Sequence, residues 1–382
     1  LQGIEEIDKA KVGFTLSKTG TVESKNVGQY YVQIPEIVLN GAESNNYKLK
    51  QPDAKAVKVE ISQKDITITN IAATNRQYNG TNVVELQGGE LQGIEEIDKA
   101  KVGFTLSKTG TVNSKNVGQY YVQIPEIVLT GEECNNYKLK QPAKEDVSVE
   151  ISQKDITITK ITATSRQYNG TNIVELKGGE LQGIEEIDKA KVGFTLSKTG
   201  TVESKNIGKY YVQIPEIVLT GEECNNYKLK QPAKEDVSVE ISQKDITITK
   251  ITATSRQYNG TNIVELKGGE LQGIEEIDKA KVGFTLSKTG TVESKNVGQY
   301  YVQIPEIVLN GAESNNYKLK QPDAKAVKVE ISQKDITITN IAATNRQYNG
   351  TNVVELQGGE LQGIEEIDKA KVGFTLSKTG TV

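Results

Sequence analysis

The sequence predicts an all-β chain, built as a tandem array of small β-sandwich modules set end to end in an elongated rod. Three observations carry that expectation. The stretch Arg76-Gln77-Tyr78-Asn79-Gly80-Thr81-Asn82 returns unaltered from Arg166, Arg256 and Arg346, ninety positions apart each time. Val, Ile, Thr and Tyr fill short runs that alternate apolar with polar residues, the pattern of a pleated, half-buried surface. Between the runs stand Gly, Asn and Pro, which turn or interrupt a strand. A ninety-residue copy exceeds the roughly 20 to 50 residues of a solenoid unit, so each copy can hold a core of its own.

Residues 1–90, 91–180, 181–270 and 271–360 are near-identical, and 361–382 starts a fifth copy. The first and fourth copies agree at every position. The second and third differ at a few sites, such as Thr130-Gly131-Glu132-Glu133-Cys134 against Asn40-Gly41-Ala42-Glu43-Ser44. Leu1 is equivalent to Leu91 and Val382 to Val112, so the chain reads as a window on a longer array. Cutting between alternating patterns places modules at 61–150, 151–240 and 241–330. The C-terminal part of a module then occupies 1–60 and the N-terminal part of another 331–382.

Within one module, Asp65-Ile66-Thr67-Ile68-Thr69 alternates and predicts the first strand, with Ile71 to Thr74 a second strand or a bend. Asn79-Gly80 is a strong hairpin signal, because a type I′ turn needs positive φ at both central residues. The same turn is expected at Tyr78-Asn79-Gly80, Tyr168-Asn169-Gly170, Tyr258-Asn259-Gly260 and Tyr348-Asn349-Gly350. Val83-Val84-Glu85-Leu86 follows as a short strand closed by Gly88-Gly89, and Gly93 to Asp98 as a polar connection with room for one helical turn. Val102, Phe104 and Leu106 share a strand face. Tyr120, Val122 and Ile124 alternate with Tyr121 and Gln123 on a strand with apolar groups on both sides, which predicts a central position. Pro125 cannot donate to a ladder, so Ile127-Val128-Leu129 is expected at an edge or as a new strand. Tyr137-Lys138-Leu139 is short, and Val147, Val149 and Ile151 line the last strand. Seven or eight strands in this length suggest a sandwich of immunoglobulin type. Val147 to Ile156 passes into the next module without Gly or Pro, which predicts a semi-rigid joint.

Composition narrows the chemistry. The net charge is −4 with both signs interspersed, leaving no basic stripe for nucleic acid and no basic amphipathic helix for a membrane surface. There is no apolar run of membrane-spanning length. With no His among the 382 residues, the usual Ser-His and Cys-His pairs are absent. Cofactors are not expected, nor is enzyme activity. Glu95, Glu96 and Asp98 form the densest acidic cluster and are the candidate calcium ligands, although Lys99 and Lys101 beside them favour a solvated turn. Lys115-Asn116 and Asn135-Asn136 are nominal candidates for a Lys-to-Asn isopeptide bond, but are read in preference as turns and loop caps. Asn79-Gly80-Thr81 fits the glycosylation acceptor pattern, which the turn also explains. Tyr30, Tyr31, Tyr47 and Tyr78 with their equivalents are read as core in preference to a binding patch. Cys134 and Cys224 occupy equivalent sites in neighbouring copies, so no module holds a pair, and module spacing keeps the two from each other; they read as small loop residues in place of Ser44 and Ser314, with a bond between chains as the alternative.

The repeat resembles the YDG repeat of bacterial surface and secreted adhesins, a relative of the MBG-type immunoglobulin-like modules. The likeness runs through Ile66-Thr67-Ile68-Thr69, Ala72-Ala73-Thr74, Tyr78-Asn79-Gly80-Thr81 and Leu86-Gln87-Gly88-Gly89-Glu90-Leu91. It continues in Ser114-Lys115-Asn116-Val117-Gly118, Ile127 to Gly131, Asn136-Tyr137-Lys138-Leu139 and Gln141-Pro142. Asn79 stands where that family usually has Asp. The resemblance implies an extracellular module, bacterial and cell-surface or secreted, often part of an adhesin stalk. The functional expectation is a non-enzymatic stalk, with a self-assembling filament or a multivalent ligand-binding array as the alternative. The expected partners are neighbouring copies of the chain or a host surface ligand.

Overall fold

A computed structural model describes residues 1–381. The chain divides into two compact units. The first comprises residues 1–157, 181–194 and 218–230, and the second 158–180, 195–217 and 231–382. Among the described residues there is no α-helix, only strands and short 3-10 turns. The chain is an all-β tandem array of immunoglobulin-like sandwich modules, as its alternating pattern predicts.

One whole module lies within the first unit. Its strands are β1 (Lys64–Ala73), β2 (Arg76–Gln77), β3 (Val83–Gln92), β4 (Gly103–Thr105), β5 (Thr109–Thr111), β6 (Gly118–Tyr121), β7 (Val128–Thr130), β8 (Tyr137–Lys140) and β9 (Ser148–Ser152). Four of them form a sheet in the order β8-β1-β3-β5, and three another in the order β6-β9-β2. β4 and β7 make a separate antiparallel ribbon. Val84 and Leu86 from β3 pack with Val149 and Ile151 from β9, joined by Val112, Val122 and Val147. Each such side chain contributes about 1.5–3 kcal/mol of burial. In the second unit Lys244 to Ser332 repeats this strand order around Val264, Leu266, Val292, Val302, Val327, Val329 and Ile331.

Of the two readings of Ile71 to Thr74 the bend holds: Ile71 to Ala73 continue Asp65–Thr69 in one strand, β1, kinked at Asn70, which has φ +59. Three local expectations are corrected. Gly88-Gly89 does not close β3 but lies inside it, opposite the kink. A Cβ on Gly88 would sit 2.3 Å from the Asn70 carbonyl oxygen, so the glycine lets two bent strands stay paired. Asn79-Gly80 is not a hairpin turn: β2 pairs in parallel with β9 in one sheet, while β3 belongs to the other. The turn is a crossover between sheets, and only Gly80 has positive φ, at +76. The strand at Tyr120 is an edge and β9 is central, because β9 takes β6 on one side and β2 on the other. The break at Pro125 does begin a new strand, β7.

Candidate functional site at the repeat junctions

Tyr78 follows β2, where its N–H donates to the Ser152 carbonyl at 2.8 Å. The ring is 1% exposed, and its hydroxyl donates to Oδ2 of Asp188 at 2.6 Å, 110 residues along the chain. Asp188 ends a 3-10 turn, Glu186–Asp188, closed by the Asp188 N–H on the Glu185 carbonyl. Tyr227 donates to the same Oδ2 at 2.7 Å, with the two phenol rings 5.4 Å apart and edge to face. Tyr227 is placed by a parallel ladder in which it faces Lys154, and by the Asn225-Asn226 turn before it.

Lys115 completes the cluster. Ser114 Oγ accepts from the Asn116 N–H at 3.1 Å, and the tight turn presents the lysine inward. Lys115 Nζ donates to the Tyr78 hydroxyl at 2.9 Å and lies 3.2 Å from Asp188 Oδ1 and 3.3 Å from Glu223 Oε1. Asn226 seals one side: its Oδ1 accepts from the Val117 N–H at 2.9 Å, and its Nδ2 donates to Glu223 and Asn116. All these residues belong to the first unit. The second unit repeats the arrangement with Tyr168, Lys205, Asp278, Glu313, Asn316 and Tyr317. Asp188 and Asp278 are both 0% exposed.

Burial alone would raise the Asp188 carboxyl, but hydrogen bonds from Tyr78, Tyr227 and Lys115 outweigh it and hold the group below the usual carboxylate range. The hydrogen bond to Tyr78 leads the causes that raise Lys115. Burial, then the bond to Asp188, pushes the Tyr78 phenol up to about 12. The cluster is an ionised, hydrogen-bonded lock between one repeat and the next. The apolar core follows the same path, since Ile156, Val192 and Tyr227 of the following repeat join the cluster of Tyr78, Val84 and Ile151.

The three acidic candidates do not converge. Glu95 pairs with Lys64 at 2.6 Å and Glu96 with Lys99 at 2.5 Å. Asp98 turns inward to Lys25 and Tyr137, the position equivalent to Asp188. Among the described residues no group of three or more His, Cys, Asp or Glu is placed to hold a metal ion. In each turn Asn79, Asn169, Asn259 and Asn349 accept from the N–H and hydroxyl of the Thr two residues on. Gly80, Gly170, Gly260 and Gly350 hold φ of +75 to +77. Of the tyrosines before them, Tyr78 and Tyr168 are buried, Tyr258 is partly buried and Tyr348 is exposed. Lys115 meets acids, not Asn116. Cys134 and Cys224 carry free thiols and are half-buried. Sequence reading missed Lys115, Asp188, Glu223, Asn226 and Tyr227 as a group. Their one signal was that every copy carries all five positions with an acceptor or donor, although Asn226 and Tyr227 look like ordinary loop residues in any one copy.

The YDG domain matches three times, at residues 62–145, 152–235 and 242–325. No curated relative matches the chain. Among solved structures, the N-terminal eight Ig domains of Down Syndrome Cell Adhesion Molecule isoform 1.30.30 share 10% identity over 89% of this chain and 49% of that one, with a TM-score of 0.15. A SusE-like surface located polysaccharide binding protein from the Bacteroides thetaiotaomicron heparin utilisation locus shares 11% identity over 85% of this chain and 68% of that one, with a TM-score of 0.14. Neither superposition is close enough to bear on function. The three family matches cover well over half of the sequence, and the chain belongs to the YDG domain family.

Proposed function

We propose that this chain is a non-enzymatic, extracellular stalk segment of a bacterial surface adhesin or fibre, whose coupled modules carry a binding region away from the cell. One observation carries the reading. At equivalent junctions a fully buried carboxylate is held by phenols from both neighbouring repeats, Tyr78 with Tyr227 and Tyr168 with Tyr317. Such a joint resists bending because opening it would expose the apolar cluster and strip a buried charge of its partners. A tandem YDG array is a non-catalytic kind of assembly, which agrees with a chain that has no His. Small-angle scattering on chains of one, two and three repeats tests the proposal: the maximum dimension should rise by a constant increment per repeat, and a dimension that saturates overturns it.

A specific observation supports a second reading, multivalent binding. Tyr121, Tyr211 and Tyr301 are 52%, 51% and 41% exposed at the same place in successive copies. An identical aromatic handle on each copy would give avidity to a weak ligand. Binding of host glycans or surface proteins that strengthens with repeat number, and weakens on Tyr121→Ser, Tyr211→Ser and Tyr301→Ser together, would establish it.

A further inference from the structure

We propose that the junction lysine and aspartate condense into an amide that ties each repeat covalently to the next. The reactive groups recur as Lys25, Asp98 and Glu133, as Lys115, Asp188 and Glu223, and as Lys205, Asp278 and Glu313. In the second set the amine lies 3.2 Å from Oδ1 of Asp188 and 3.3 Å from Glu223. In the third the distances are 3.3 Å and 3.4 Å. The geometry divides the two carboxyl oxygens by role. Oδ2 of Asp188 receives two phenol hydrogen bonds, so charge that collects there during addition to Cγ is already solvated by fixed donors. Oδ1 faces the amine and has no phenol, which makes it the leaving oxygen.

The reaction balances without a further reactant. Glu223 takes a proton from the Lys115 ammonium and passes it to Oδ1 of Asp188, the freed Nζ attacks Cγ of the now neutral carboxyl, and the Nζ–Cγ bond forms. The Cγ–Oδ1 bond then breaks, and Oδ1 leaves as water with two protons from Nζ, both carried through Glu223. An ammonium and a carboxylate become one neutral amide and one water. The resting ion pair keeps its proton on the amine, so the transfer to Glu223 makes this step slower than folding. Two features drive it forward. Fixed neighbours reach effective concentrations on the order of 10⁵ M or more, and the product removes two charges from a site where desolvation is costly. The amide oxygen keeps the Tyr78 and Tyr227 hydrogen bonds, so the junction need not rearrange.

Mass spectrometry of the full chain, folded and incubated until its mass is constant, decides the matter. The expected result is a chain lighter by one water for each bond, and a branched peptide after proteolysis that joins the Lys115 and Asp188 segments. Lys115→Arg should abolish that peptide and restore one water, leaving the Lys205–Asp278 peptide in place. Glu223→Gln keeps the shape of the side chain but cannot carry the proton, and should do the same. An unshifted mass, or a lost water without the branched peptide, overturns the proposal; a bond that persists in Glu223→Gln overturns the part given to Glu223. The scattering test of the stalk does not depend on this outcome, since the hydrogen-bonded lock is present with or without the bond.

Discussion

Asn70 and Asn340 hold the β1 kink in two copies, whereas Lys160 and Lys250 hold it in the others, all with φ between +55 and +59. Left-handed backbone brings Cβ close to the following carbonyl, a cost that Asn offsets with a short polar side chain able to hydrogen-bond locally and Lys does not. Asn70 also donates to Glu90 at 2.9 Å, while Lys160 offers Glu180 an exposed ion pair of small value. Lys160→Asn should therefore stabilise the chain by about 0.5–1 kcal/mol, seen as a higher denaturation midpoint at unchanged slope. Across the strand, Gly88 has φ +84 and the Asn70 oxygen 2.3 Å from where a Cβ would stand. Backbone strain and collision act together there, so Gly88→Ala should cost about 2 kcal/mol or more; an unchanged midpoint would mean that β1 and β3 can separate at the kink.

At the scale of elements, the 3-10 turn Glu186–Asp188 matters for the one side chain it sends inward. Asp188→Ala leaves two buried phenols and Lys115 without their common acceptor, a loss of about 3–5 kcal/mol, measurable as a lower melting temperature. Alkali tests the same contact. The Tyr78 phenol is pushed up to about 12, so its contribution is whole below the ordinary value near 10 and disappears as pH rises towards 12. The melting temperature should hold steady to about pH 10 and then fall, and Tyr78→Phe should flatten that fall. The alternation at Ile66–Ile68 and at Val147–Ile151 made the strands legible in the sequence, because side-chain period fixes which face is buried. Pairing was less legible. Nothing in Arg76-Gln77 says that it lies parallel to Ile151-Ser152 in another sheet, so Asn79-Gly80 looked like a hairpin. The junction was hidden for a related reason: Tyr78 and Asp188 are 110 residues apart, and in any single copy Asp98 reads as one acid among three.

At the scale of the whole molecule, repetition makes each junction a nearest-neighbour term in the stability of the array. Within the first unit, Ile156, Val192 and Tyr227 pack on the same cluster as Tyr78 and Ile151, so part of the core of 62–152 is supplied by the next repeat. A chain of residues 62–152 alone should fold with Tyr78 exposed and melt below the same repeat within 62–242. The difference measures the coupling, and it should exceed what exposed ion pairs provide, because it includes buried apolar area and a buried, fully bonded carboxylate. Asp188→Ala in the two-repeat chain should bring the first repeat down towards its isolated melting temperature and split one transition into two. Asp155→Ala serves as the control: Asp155 is only a long, exposed acceptor for Gln77 at 3.4 Å, and its loss should leave the transition single. If both variants melt alike, coupling resides in the continuous strand between repeats, and the phenol-carboxylate lock is not what joins them.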